Sequence, residues 1–174
     1  GKAEHVEAMF DTIAPRYDVL KRVLSLGIDQ HWRNRAIHLL EAEHPTRVLD
    51  VATGTADLAI KAERMLHPRT VVGVDLSAEM LRYGREKLDR LGLDPRITLV
   101  QGDAANLPFE DHAFDAALVA FGVRNFEDLT AGLRDIRRVL ESRGVLVVLE
   151  FSDPRATPIK ELYRWYSEHL LPRI

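Results

Sequence analysis

Cysteine is absent from this sequence. A disulfide scaffold, a thiolate zinc site and a cysteine nucleophile are therefore excluded together. The absence is compatible with a reducing cytoplasm without demanding one. Basic residues are not in excess: 24 Lys and Arg stand against 27 Asp and Glu, a net charge of -3. No global positive field exists to condense on a phosphate backbone, so nucleic acid is not an expected partner. Long apolar runs are missing too. A stretch such as Gly144 to Leu149 falls far short of the roughly 20 residues that cross a bilayer, and the amino terminus has no signal-like apolar segment. Any membrane contact is expected to be peripheral. The seven histidines are scattered, with no pair at helical i, i+4 spacing around a Glu, so no metal site is expected. What remains is ordinary apolar material, 46% of 174 residues, enough for the core of one domain.

The order of apolar patterns divides the chain in two. Val6, Met9, Phe10 and Ile13 recur at helical spacing until Pro15; Leu20, Val23 and Leu24 suggest another short helix ending at Gly27. Asp29 is expected to cap a third helix with Trp32, Ala36, Leu39 and Leu40 on its inner side. After His44-Pro45 the pattern changes to short apolar strands: Arg47 to Val51, Thr70 to Val74 ending at Asp75, Ile97 to Gln101, Phe114 to Ala120, and Gly144 to Phe151. Between them lie helical patterns: Leu58, Ala62, Met65 and Leu66; then Met80, Leu81, Leu88 and Leu91 behind a Ser77 cap; then Leu129, Leu133, Ile136 and Leu140. Apolar strands alternating with helices predict a doubly wound, Rossmann-like α/β domain with a mostly parallel sheet, preceded by a helical segment. One domain over 1–174 is expected: a helical acceptor or lid segment over 1–45, a donor-binding core over 46–151, and a carboxyl-terminal helix over 158–171.

In such sheets ligands bind at the carboxyl ends of the strands. Gly54 follows the first strand and lets backbone approach a ligand, though many α/β domains carry a glycine there only to turn the chain. Asp75 ends the second strand 21 positions later, where a carboxylate accepts hydrogen bonds from both hydroxyls of an adenosine ribose; the alternative is a residue that merely opens the next helix. Asp103 follows the third strand, placed either to accept from an adenine amino group or to bond its own turn. A dinucleotide would want a second mononucleotide half, and glycine rather than Ala56 at the helix start. S-adenosylmethionine has adenosine and no phosphate, and Asp50 is expected near its ammonium.

Several blocks then carry a resemblance: Met9-Phe10-Asp11-Thr12-Ile13-Ala14-Pro15-Arg16-Tyr17-Asp18, Leu24-Ser25-Leu26-Gly27 with Trp32-Arg33, Val48-Leu49-Asp50-Val51-Ala52-Thr53-Gly54-Thr55, Leu107-Pro108-Phe109, Phe121-Gly122-Val123-Arg124-Asn125-Phe126, and Leu149-Glu150-Phe151-Ser152. The sequence resembles the class I S-adenosylmethionine-dependent methyltransferases, and within them the ubiquinone/menaquinone biosynthesis C-methyltransferases. The resemblance implies donor contacts at Thr55, Asp75, Asp103 and Ala104. It implies one at Ala120 as well, where some members carry serine, so that contact is restricted to backbone or van der Waals. Ala56 stands where a second glycine is common, narrowing the space beside the donor's methionine end. Lys21 replaces a usual asparagine, for which there is no physical account.

The activity implied is methyl transfer to a ring carbon of a prenylated quinol, demethylmenaquinol to menaquinol, with the ubiquinone-pathway benzoquinol as the alternative. Ring carbon is a poor nucleophile until an adjacent hydroxyl ionises, and a phenol of pKa near 10 is neutral at pH 7. A guanidinium favours the phenolate without taking a proton. Arg124 is the principal catalytic candidate; a surface pair with Glu127 or Asp128 is its structural alternative. For the proton acceptor, Tyr17, Asp18, Asp29 and His31 are candidates, Tyr17 also as a wall of the acceptor pocket. Arg134, Arg137, Arg138 and Arg143, interleaved with Asp135 and Glu141, read as a solvated helix face. An NAD-dependent oxidoreductase and a non-enzymatic adenosine-binding module are the competing classes. A cytoplasmic protein in peripheral contact with the membrane is expected, with a homodimer left open. Class I methyltransferases add two strands after the last helix, so the carboxyl-terminal strands are expected beyond Ile174, with the fifth strand an uncovered edge.

Overall fold

The structure is a computed structural model that describes residues 28–150 together with Ala8. The expectations for the first two helices, for Tyr17, Asp18 and Lys21, and for the helix over 158–171 lie outside the described residues.

Among the described residues the elements run α1 (Ile28–Glu41), β1 (Arg47–Val51), α2 (Asp57–Leu66), β2 (Thr70–Asp75), α3 (Ala78–Leu91), β3 (Ile97–Gln101), β4 (Phe114–Ala120), a 3-10 turn (Val123–Asn125), α4 (Leu129–Val139) and β5 (Leu140–Leu149). The strands form one parallel sheet in the order β3-β2-β1-β4-β5. Strand order therefore reverses at β1, whose neighbours are β2 on one side and β4 on the other. A crevice opens at such a reversal, beyond the carboxyl ends of the two strands that flank it.

Successive residues of a strand face opposite sides of a sheet, and the core splits accordingly. Val48, Ala116 and Leu118 pack with Ile37, Leu58, Ala62, Leu81 and Leu88 beneath α1, α2 and α3. Leu49, Val51, Ala117 and Val119 pack with Leu107, Phe126, Ile136 and Val139 on the other face. Each central strand is buried on both faces, which is why its sequence is apolar without alternation. Helix starts follow local chemistry. Ser77 accepts from the Met80 N–H at 3.0 Å and opens α3, and Asp128 accepts from Ala131 at 3.0 Å and opens α4.

Four expectations need correction. Asp29 is not the cap of α1 but lies in its first turn, 3% exposed. The inner face of α1 is Asp29, Arg33, Ala36, Ile37 and Leu40, whereas Trp32 and Leu39 are 44% and 64% exposed. A charged pair occupies positions that an apolar-stripe rule assigns outward, which rotates the face by about one residue. On α4 the buried residues are Gly132, Ile136 and Val139, with Leu129 and Leu133 exposed; Leu140 belongs to β5, four residues before the expected start at Gly144. The β4–β5 register shifts between Phe114 and Ala116, and this irregularity lets the polar Glu141-Ser142-Arg143 stretch enter the strand.

Candidate active site

The crevice at the strand reversal is an open cleft of about 690 Å³ including its mouth. Gly54, Asp75, Asp103, Ala104 and Ala120 all line it, so five of the residues expected to hold the donor are brought together. Its floor is a close approach between β1 and the turn after β4: a Cβ placed on Gly122 would fall 2.5 Å from the Ala52 Cβ. Only glycine allows that contact.

Asp75 organises the cleft. Its Oδ2 accepts from the Gly54 N–H at 2.7 Å and its Oδ1 from the Ser77 N–H at 3.0 Å. The carboxylate thus serves the turn into α3, as one alternative had it, and also lines the cleft, where the other would place a ribose. A carboxylate accepts about four hydrogen bonds, so two hydroxyls can be received beside these N–H groups. Asp103 likewise serves its own turn, Oδ1 accepting from Ala105 at 2.9 Å, while lining the cleft.

Asp50 and Thr55 do not line the cleft. Asp50 is 1% exposed and accepts from the Thr53 hydroxyl at 2.6 Å. Burial drives its pKa up to about 7; the Thr53 bond and the Arg33 charge work against the rise, and Asp75 adds to it. Asp50 is thus a buried carboxylate next to Val51, which lines the cleft. The Thr55 hydroxyl accepts from Lys87 Nζ at 3.1 Å. Ala56, at φ 67°, is fully buried. Its methyl lies 3.5 Å from where Gly84 of α3 would carry a Cβ; it packs against α3 rather than narrowing the donor's space.

Arg124 sits on the 3-10 turn between Gly122 and Asn125, both lining residues, though it does not line the cleft itself. Its partner is neither Glu127 nor Asp128. Its Nε donates to Glu150 Oε1 at 3.0 Å, and its Nη2 pairs with the same oxygen. The guanidinium is half exposed, so it is held at the rim with a charge still open to solvent. His31 is exposed and stacks edge-on with Trp32 at 5.6 Å. Asp29 pairs with Arg33 at 3.5 Å, both buried. Arg33, which the sequence offers only as the neighbour of Trp32, has its guanidinium over the Phe121 ring at 5.3 Å. An arginine next to an exposed tryptophan gives no sequence signal of burial; a carboxylate four residues earlier was the available hint.

Arg134, Arg137, Arg138 and Arg143 do not form one solvated face. Arg138 donates to the carbonyls of Phe109 at 2.7 Å and Leu107 at 3.0 Å, and bonds Asp135 and Asp111. Asp135 in turn accepts from the Leu107 N–H at 2.6 Å, and the Arg138 bonds hold its carboxyl below the usual range. Among the described residues no group of three or more His, Asp or Glu is arranged to hold a metal, and no helix is long and apolar enough to cross a membrane.

The whole sequence, residues 1–174, matches the ubiE/COQ5 methyltransferase family. It is 47% identical over 173 residues to demethylmenaquinone methyltransferase of Bacteroides fragilis (strain YCH46), spanning 99% of this chain and 71% of that one. It is 44% identical over 174 residues to the ubiquinone/menaquinone biosynthesis C-methyltransferase UbiE of Geobacter sp. (strain M21), spanning 99% and 74%. Among solved structures, a candidate S-adenosyl-L-methionine-dependent methyltransferase from Methanococcus maripaludis shares the fold at a TM-score of 0.72 and 22% identity, over 91% of this chain and 72% of that one. With an open cleft at the strand reversal and a match that leaves no residue outside it, the chain belongs to the ubiE/COQ5 methyltransferase family and is an S-adenosylmethionine-dependent methyltransferase.

Proposed function

We propose that this enzyme methylates a ring carbon of a prenylated quinol, with demethylmenaquinol as acceptor and menaquinol as product. The observation that carries the proposal is the Gly122–Asn125 turn, which forms part of the cleft and bears a clamped, solvent-facing guanidinium at its rim. The names of the relatives from Bacteroides and Geobacter supply the acceptor class. The Geobacter name covers both quinone pathways, which keeps the benzoquinol as the second reading.

The cleft suits an adenosine-bearing donor: the Ala52–Gly122 floor leaves no room for a side chain, and the Asp75 carboxylate is fixed by two N–H groups. Asp75 would accept from the ribose hydroxyls, Asp103 and Ala104 would border the adenine, and Gly54 with Ala120 would line the remainder. The donor supplies an electrophilic methyl group: its S–CH3 bond breaks with the electron pair staying on sulfur as the new C–C bond forms. Arg124 stabilises the phenolate that makes the ring carbon nucleophilic, and Glu150 fixes the guanidinium without burying it. Loss of the ring proton needs a base, and Arg is not one at neutral pH. Asp29 is occupied by Arg33, which leaves Tyr17, Asp18 and His31 as the candidates. The proposal takes 1–45 as the acceptor side, 46–151 as the donor side and 158–171 as a closing helix of one domain. It puts the enzyme in the cytoplasm, in peripheral contact with the membrane that holds its acceptor.

Incubation with S-adenosylmethionine and each demethylated quinol, followed by mass analysis, tests this directly. A methylated naphthoquinol is expected; methyl transfer to neither quinol would end the proposal, and transfer to benzoquinol alone would select the second reading.

A further inference from the structure

Arg33 is a buried cation with a poor set of partners. Its residue is 5% exposed, its Nε makes no hydrogen bond, and its distance of 3.5 Å to Asp29 is that of a loose ion pair. A charge removed from water on these terms is a net cost to the fold, and hydrophobic replacements of such pairs commonly stabilise. Beyond Asp29 it lies over the face of Phe121, where a desolvated cation is attracted by the ring.

Phe121 is itself unusual. At φ 59° it adopts the left-handed conformation, which bulky residues rarely hold without reinforcement. Its N–H donates to Leu149 O at 2.7 Å, which fixes the backbone on the β5 side, and Arg33 covers the ring from the α1 side. The chain beyond Phe121 runs through Gly122, pressed on Ala52, to Arg124 and Asn125. Arg33 lies outside the cleft while touching the first residue of the segment that carries the rim guanidinium.

We infer that Arg33 is a positioning residue for methyl transfer: from α1 it holds Phe121 in its left-handed turn and so sets where Arg124 stands over the cleft. The inference rests on the role proposed for Arg124. Arg33 also lies in the field of the buried Asp50, so its removal alters the charge beneath the floor as well as the turn above it.

The test uses the full chain with Asp29→Asn/Arg33→Met, which removes both charges and leaves neither unpaired, beside Arg33→Lys and Phe121→Leu. Three quantities are measured: S-adenosylhomocysteine affinity, turnover with saturating donor and quinol, and amide exchange. In the double variant, donor affinity is expected within about threefold of wild type and turnover lowered about tenfold or more. Exchange should accelerate at Phe121, Arg124 and Asn125 relative to Thr53 on β1's end, and Arg33→Lys should recover part of the turnover. Phe121→Leu should reproduce the exchange pattern, which keeps the inference testable if the double variant does not fold. Wild-type exchange across 121–125 in both variants, or a uniform rise at every amide, would overturn it. If wild type methylates no quinol, the acceptor proposal fails on its own, and the exchange pattern alone then decides the place of Arg33.

Discussion

The Asp75 carboxylate accepts from Gly54 and Ser77 before any ligand arrives, so its position is set by the backbone on both sides of the cleft. Asp75→Ala removes the acceptor proposed for two ribose hydroxyls and would leave them unpaired on binding. Donor affinity is expected to fall by about 2–3 kcal/mol; calorimetry giving wild-type affinity in a folded variant would remove Asp75 from the site. Asp50 gives the opposite lesson. Its pKa, raised from 3.8 to about 7, means that the folded state holds the proton more tightly than the unfolded state. The group's contribution to stability is therefore full below about pH 4 and is lost as pH rises through 7. Asp50→Asn stays neutral throughout, so its Tm relative to wild type should rise between pH 5 and pH 8. Parallel Tm curves for the two proteins would show that Asp50 is not the titrating group. Ala56 shows why a departure from glycine is tolerated: the left-handed methyl costs about 1–2 kcal/mol, while its burial against α3 and the stiffer unfolded chain return a comparable amount.

At the scale of elements, the turn after β4 and the loop after β3 are each tied down from outside the cleft. Arg124 reaches Glu150 at the end of β5. Arg124→Lys keeps the charge but loses the planar fork, so donor binding should be near normal while turnover falls at least severalfold. Single-turnover rates equal to wild type, with quinol saturating, would take the guanidinium out of the chemistry. Arg138 reaches back from α4 to the carbonyls of Leu107 and Phe109, and so fixes the loop that carries Asp103 and Ala104. Arg138→Met should raise the S-adenosylhomocysteine Kd about fivefold, the loss of about one hydrogen bond's worth of order, with turnover at saturating donor retained. A Kd that does not move would leave Arg138 a stability residue only. What the sequence could reveal about these elements depended on how purely apolar they are. β1 and β4 have the expected bounds because buried parallel strands read as continuous apolar runs, and the edge strand β3 because buried Ile97 and Leu99 alternate with exposed Thr98, ahead of exposed Gln101. The inner faces of α1 and α4 were misjudged because Arg33, Asp29 and Gly132 face inward and Trp32, Leu39 and Leu133 do not. The places of Asp75 and Asp103 in the cleft lining were legible from strand ends alone. Arg33 was not, since its role depends on Phe121, 88 positions away in the chain.

In the whole molecule the sheet has a seam. The segment from β1 to β3 is contiguous in sequence, whereas β4 joins β1 by pairing Ala116 to Val119 with the distant Val48 to Val51. The cleft straddles this seam, taking Ala52, Gly54, Asp75 and Asp103 from one side and Ala120, Phe121, Gly122 and Asn125 from the other. Closing the larger loop is the slower, less local step of assembly. A ligand that needs both sides binds only after it. Saturating S-adenosylhomocysteine should therefore slow unfolding while leaving the refolding rate nearly unchanged; a ligand that instead accelerated refolding would show the cleft forming before the seam closes. The strand reversal thus has a consequence for the cell's economy of this enzyme as well as for its chemistry. Protease attack on a folded protein proceeds through its open forms, and here the opening that matters most is the one the methyl donor ties shut. Enzyme lifetime is then expected to follow donor supply: limited proteolysis of the purified protein should slow as S-adenosylmethionine is added, and an unchanged cleavage rate would uncouple the two.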